Sequence, residues 1–204
     1  ATPYNSISQL NGLTTKGVLV KAGTVDWETK GVGGGTSLNI SKVFVPYNSG
    51  AVIFNQATTL SFMGATNEYW FNGITFKIPS GRNNVTKWMS FDGSDRVVFF
   101  ENIIDLESYA LTGGSWTNSS FAMWNNVAGT GSYNCVVNNQ FNNMSERDFM
   151  LFYSMAYLVI EGNTVSNSSV GAGYGHGFYL KMSIENATVR NNKSVGVLNN
   201  QKLV

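Results

Sequence analysis

Five short blocks recur along this chain, and the recurrence leaves few folds open. Thr59-Leu-Ser-Phe62, Trp88-Met-Ser-Phe91, Phe121-Ala-Met-Trp124, Phe149-Met-Leu-Phe152 and Phe178-Tyr-Leu-Lys181 align without gaps. Their spacing, roughly 28 to 33 residues, lies in the range of solenoid repeats. A second register runs alongside the first. Phe91, Phe152 and Lys181 are each followed, at one common distance, by Asn102, Asn163 and Asn192, and Gly73 holds that place after Phe62. Asn139 comes late in its turn, and the insertion Ala128-Gly-Thr-Gly131 accounts for the extra length.

Ahead of these Asn residues lie β-prone runs: Arg96-Val-Val-Phe-Phe100, Asn134-Cys-Val-Val137, Tyr157-Leu-Val-Ile160 and Ala187-Thr-Val189. Each period therefore holds at least two short strands and no helix. Asn tolerates left-handed backbone, and its amide can bond the same residue one turn on, so a recurring Asn marks a tight corner. A sandwich or a propeller does not explain a corner residue fixed within such a period. The expected fold is all-β: a single-stranded right-handed parallel β-helix, a solenoid whose coils occupy residues 51–204. Residues 1–50, broken by Gly31-Val-Gly-Gly-Gly35, read as an N-terminal cap or linker. The block due one period after Lys181 would fall past Val204, so a partner or further chain is expected at that end.

Composition narrows the function. Only 12% of the 204 residues are charged and the net charge is +1, with Lys and Arg scattered, which argues against a nucleic-acid footprint. One cysteine, Cys135, cannot form an internal disulfide, and a single histidine gives no metal-ligand cluster, so neither metal nor cofactor is expected. No apolar run is long enough for a membrane helix, so no membrane insertion is expected.

Strand parity bears on the surface. Positions three apart on one strand face opposite ways, so the first column of the blocks and the fourth cannot both be core. A buried, unpaired ammonium is costly, and Lys181 ends the fourth column. The expectation is that Phe62, Phe91, Trp124, Phe152 and Lys181 point outward. Leu60, Met89, Met150 and Tyr179 would share their face. An outward ladder of Phe and Met suits burial against protein better than sugar stacking, which favours Trp and Tyr with polar rims. Phe62, Met89, Phe91, Trp124, Met150 and Phe152 are therefore the expected contact of a homo-oligomer, a trimer of β-helices.

Candidates for chemistry are few. The local acid pairs Asp92/Asp95, Asp105/Glu107 and Glu146/Asp148 could serve a glycoside hydrolase, and only Glu146-Arg147-Asp148 carries a cation that could position a uronate. A polysaccharide lyase needs a base and a neutraliser of the uronate carboxylate. Lys181 and Tyr179 have the right type, and His176 stands in the Gly-rich stretch just before them. The best catalytic candidates are thus Lys181, His176 and Tyr179. Glycan contacts are expected from Tyr179, Lys181, Glu146, Arg147 and Asp148.

Two resemblances sharpen these expectations. Gly50-Ala-Val-Ile-Phe54, Thr59-Leu-Ser-Phe-Met-Gly64 and Asn67-Glu-Tyr-Trp-Phe-Asn-Gly-Ile-Thr-Phe76 resemble the opening coils of secreted β-helix lyases of the alginate and chondroitin type. That likeness covers about half the chain and implies a Lys on a strand before an Asn-rich corner, where Phe178-Tyr-Leu-Lys181 and Val189-Arg-Asn-Asn192 look similar. It also implies an Arg-His-Gly one coil later, where this chain has Gln201-Lys202. Leu13-Thr-Thr-Lys-Gly17 with Val18-Leu-Val20 and Gly33-Gly-Gly-Thr36 is similar to a repeat of phage tail fibres and tailspikes, here lacking its Asp. That likeness implies a trimeric virion protein that binds, and sometimes cuts, a surface glycan. The expected function is a glycan-binding adhesion module, extracellular or on a virion. A secreted uronate lyase is the alternative, and a purely structural assembly protein comes third.

Overall fold

The computed structural model describes residues 10, 12–26, 36–38, 40–55, 60–63, 67–77, 87–92, 96–105, 119–124, 133–143, 148–153, 155–166, 176–181, 184–195 and 199–203. Among them every element is a strand. The stack opens with β1 (Gly17–Asp26), β2 (Thr36–Leu38) and the long β3 (Lys42–Asn55). Turns of three strands follow: β4 (Leu60–Met63), β5 (Glu68–Asn72) and β6 (Thr75–Lys77), then β7 (Lys87–Asp92), β8 (Arg96–Phe100) and β9 (Ile103–Asp105). Next come β10 (Ser119–Trp124), β11 (Tyr133–Val137) and β12 (Gln140–Asn142), then β13 (Asp148–Tyr153), β14 (Tyr157–Glu161) and β15 (Thr164–Ser166). The turn of β16 (His176–Lys181), β17 (Ala187–Arg190) and β18 (Lys193–Val195) is followed by β19 (Asn199–Leu203).

Every pairing between these strands is parallel. The first strands of successive turns make a seven-stranded sheet from β2 to β19. The second and third strands make two wings of a twelve-stranded sheet joined through β3, whose Lys42 to Phe44 pair with β5 and Ile53 to Asn55 with β6. The chain is a parallel β-solenoid, with three strands to a turn where the sequence pattern marks at least two. The boundary expected at residue 50 falls inside β3, and β1 pairs with both halves of β3. Strands before residue 50 therefore belong to the same stacks as the later coils. They escape the repeat pattern because β3 passes the corner as one continuous strand, with Val52 rather than an Asn just before its pairing with β6.

Alternation sets the core. Along β8, β11 and β14 every second residue is buried. Tyr69, Val97 and Leu158 form one interior column, Phe71, Phe99, Val136 and Ile160 a second, and Phe76, Ile104, Phe141 and Val165 a third. Rings interlock within and between the columns: Phe44 stacks on its register partner Phe71 with centroids 4.7 Å apart, and Phe76 on Phe99 of the neighbouring column at 5.6 Å. Each such ring removed from water stabilises the fold by about 1.5–3 kcal/mol.

The seven-stranded sheet overturns the outward assignment of Phe91. Phe91 is 1% exposed and packs against Tyr69 and Phe71, with centroids 6.2 and 6.3 Å away. The ungapped alignment is one residue out at β10 and again at β16, and in register at β13. Phe62 does pair with Phe91, but Phe91 pairs with Met123, and Met123 with Phe152, which pairs with Leu180. Leu180 is also buried. Trp124 and Lys181 occupy the next column, with Asp92 and Tyr153. Lys181 was thus evidence about a neighbouring column, and a one-residue slip exchanges the faces of a strand.

The corner divides into two adjacent columns with separate tasks. Gly73, Glu101, Asn138, Gly162 and Asn191 all have positive φ, between 48° and 67° for the whole set of left-handed corners that also includes Asn186. The ladder residues follow one position later: Ile74, Asn102, Asn139, Asn163 and Asn192. Each Asn side chain accepts from the backbone N–H of the ladder residue one turn earlier, at 2.8–3.0 Å from Ile74 to Asn163. Each amide also donates back to a strand carbonyl: Phe71, Phe99, Val136 and Ile160. The amide-to-amide contacts expected at the corner are present, from Asn102 to Asn139, Asn163 and Asn192. Left-handed backbone belongs to the preceding residue, so Gly73 is aligned with Glu101 and not with Asn102. The sequence separations across the ladder are 28, 37, 24 and 29. Extra length is thus taken up between strands, while the corner keeps its register.

Candidate functional site

Outward positions of β5, β8, β11, β14 and β17 form the best-defined face of the described residues. At its first column Glu68, Arg96, Tyr133 and Tyr157 stand in register on successive strands. Arg96 donates to Glu68 at 2.8 Å, and its guanidinium lies 5.9 Å from the Tyr133 ring centroid. Tyr133 then stacks on Tyr157, centroids 4.6 Å apart and planes 4° from parallel. That spacing is close to the distance between paired strands, so parallel pairing in register itself brings like rings face to face.

Tyr157 ends this stack. On β17 the next register place belongs to Asn186, just before Ala187, which pairs with Leu158. Asn186 is exposed, has φ 48°, and donates to the Ala156 carbonyl at 3.4 Å. No ring follows Tyr157 in register, and Tyr157 remains 43% exposed. Trp70 opens the second column, 44% exposed, followed by Val98, Cys135, Val159 and Thr188. Burial raises the Cys135 thiol pKa, which keeps it a poor nucleophile. The third column carries Glu161 and Arg190, joined by two contacts of 2.9 Å. Arg190 is held above its ordinary pKa, first by its hydrogen bond to Glu161 and then by the charge of that carboxylate.

The residues expected to carry function are placed elsewhere. His176, Tyr179 and Lys181 all lie on β16 of the seven-stranded sheet. His176 pairs in register with Asp148 and Asn199, Tyr179 with Leu151 and Lys202, and Lys181 with Tyr153. Strand pairing therefore places His176 beside Asp148, an adjacency that their separation in sequence conceals. Glu146 and Arg147 lie outside the described residues, as do Asp95 and Glu107. Asp105 accepts a 2.8 Å bond from Asn143, the corner-holding role of a turn carboxylate. Of the expected oligomer contact, Phe91 is interior. Phe62, Met89, Trp124, Met150 and Phe152 are placed only by strand register. The described residues contain no cluster of three or more His, Cys, Asp or Glu suited to a metal ion. No helix among them is long and apolar enough to cross a membrane.

Sequence reasoning missed Trp70, Tyr133 and Tyr157 because it followed the Phe-rich blocks of the other sheet. The available signal was the residue opening each β-prone run, which is Glu68, Arg96, Tyr133 or Tyr157 in turn. No protein-family model matches the chain, and no curated protein or solved structure matches it.

Proposed function

We propose that this chain is a right-handed parallel β-helix module that binds a glycan on the outer face of β5, β8, β11, β14 and β17. One observation carries the reading: Trp70, Tyr133 and Tyr157 stay exposed beside Glu68, Arg96 and Asn186 on a sheet whose other side is a packed core. Sugars are bound by flat aromatic surface for their C–H faces and fixed polar groups for their hydroxyls, and this face offers both. Rigidity helps, because side chains on a sheet lose little freedom on binding. Right-handedness follows from the strong preference of parallel crossovers in a twisted sheet. A stiff rod rich in Asn, Ser, Thr and Gly suits an adhesive part outside the cell or on a virion, as in the tail-fibre resemblance.

The test is glycan-array binding of the intact chain against Tyr157→Ala and Trp70→Ala. Both side chains are exposed, so circular dichroism should be unchanged. Loss of one stacking surface should weaken binding about tenfold. Undiminished binding by both variants would place the site elsewhere. Ultraviolet absorbance of an unsaturated product on incubation with uronate polymers would show cleavage instead, and would direct attention to His176, Tyr179 and Lys181.

A further inference from the structure

Resting on the glycan reading, we infer that the ledge formed by Tyr157 and Asn186 takes an uncharged sugar and discriminates against uronates and sialates. Each arginine of this face is already paired with a carboxylate from within the sheet. Arg96 is held by Glu68 at 2.8 Å, and Lys16 lies 4.0 Å from the same carboxylate. Arg190 is gripped through both Nε and Nη2 by the two oxygens of Glu161, the paired geometry that suits a carboxylate best. Across the corner from Tyr157, the exposed Glu185 adds a negative charge one residue before Asn186. Lys193 stands beyond the Asn191 corner, on the third strand of its turn.

An acidic sugar on Tyr157 would meet Glu185 and could reach Arg190 only by displacing Glu161. A neutral sugar meets neither cost. Its ring can cover the free face of Tyr157 while Asn186 offers both an amide donor and an acceptor to ring hydroxyls. Glu161 lies four residues along β14 from Tyr157, about 13 Å, so a short oligosaccharide following the strand passes the ion pair without breaking it.

The test titrates the intact chain by calorimetry with neutral hexasaccharides of glucose and mannose, and with oligogalacturonate and oligoalginate of the same length. Neutral ligands should bind at least about fivefold more tightly, with affinity little changed between low and high salt. Glu161→Gln should leave neutral binding intact and raise uronate affinity, in a salt-sensitive way, because it releases Arg190. Uronates bound in preference to neutral sugars, or no gain in uronate binding by Glu161→Gln, would overturn the inference while leaving a glycan-binding protein. Absence of binding to every sugar, including a wide array, would remove the glycan reading itself.

Discussion

Replacing Asn139 by alanine tests whether the amide ladder or the apolar columns set the stability of the coils. Its side chain accepts from Asn102 N–H at 2.8 Å and from the Asn102 amide at 3.1 Å, and donates to the carbonyls of Phe99 and Val137 at 2.8 and 3.0 Å and to Asn163 at 3.0 Å. Asn139 and Asn102 are both buried. In the alanine variant the Asn102 N–H loses its acceptor in a place water does not reach, and two carbonyls lose a donor. An orphaned buried donor costs about 1–3 kcal/mol and each lost bond about 1, so the expected loss is about 3–5 kcal/mol. A domain of ordinary stability has only about 5–15 kcal/mol in total. Asn192→Ala removes the outermost ladder side chain, whose bonds are only partly buried, and should cost about 1–2 kcal/mol. Equilibrium urea unfolding followed by tryptophan fluorescence measures both, with the slope of the transition unchanged. A loss below about 1 kcal/mol for Asn139→Ala, or equal losses for the two variants, would refute the ladder as a stabilising element. Asn139→Asp adds a directional check. It turns a donor toward three oxygens into a carboxylate oxygen, so its folded pKa should lie above the ordinary value. The deficit should then shrink as pH falls toward about 4, because the folded state takes up the proton first.

Three further substitutions address other parts of the structure. Phe91→Ala should destabilise the chain by about 3–5 kcal/mol in urea unfolding, with no change in sedimentation, because Phe91 is core; a changed oligomeric state at unchanged stability would restore the outward assignment. Glu101 holds φ 53° with an exposed side chain, so Glu101→Asn should stabilise by about 0.5–1 kcal/mol in the same assay, and destabilisation would refute the strain argument. Lys42 is buried, with its ammonium donating to the carbonyls of Leu13 and Thr15 at 2.9 and 2.7 Å, and desolvation lowers its pKa from 10.5. The unfolded chain therefore holds that proton more tightly, so wild type should gain stability relative to Lys42→Met as pH rises from the lowered value toward 10.5. A difference independent of pH would refute it. The same variant should speed amide exchange around residues 13–16 while β5 stays protected.

Periodicity and the recurrence of Asn make much of this fold legible in the sequence. A period with β-prone runs and a fixed corner residue admits few architectures, and the Asn102, Asn139, Asn163 and Asn192 ladder is where that pattern placed it. Short-range chemistry explains why: from Asn102 onward each amide satisfies the turn before it, so Asn recurs at the corner of each later turn. Strand register was not legible. The blocks containing Phe91, Phe121 and Phe149 align equally well one residue apart, and only pairing across the sheet makes Met123, rather than Trp124, the neighbour of Phe91. A second slip of the same size makes Leu180, rather than Lys181, the neighbour of Phe152, and parity converts each slip into an exchange of inside and outside, which is why Lys181 misled. The coil hidden in residues 36–55 was equally illegible, since β3 has Val52, not Asn, at the ladder position.

The exposed face was decided by tertiary structure alone. Glu68, Arg96, Tyr133 and Tyr157 are far apart in the chain and share no motif, yet parallel pairing sets them one strand spacing apart, close enough for an ion pair, a cation over a ring and a ring stack. By itself the sequence determined that the chain coils, because coiling repeats along it. Which side chains meet across the coils depends on register, and register is fixed only when the strands pair.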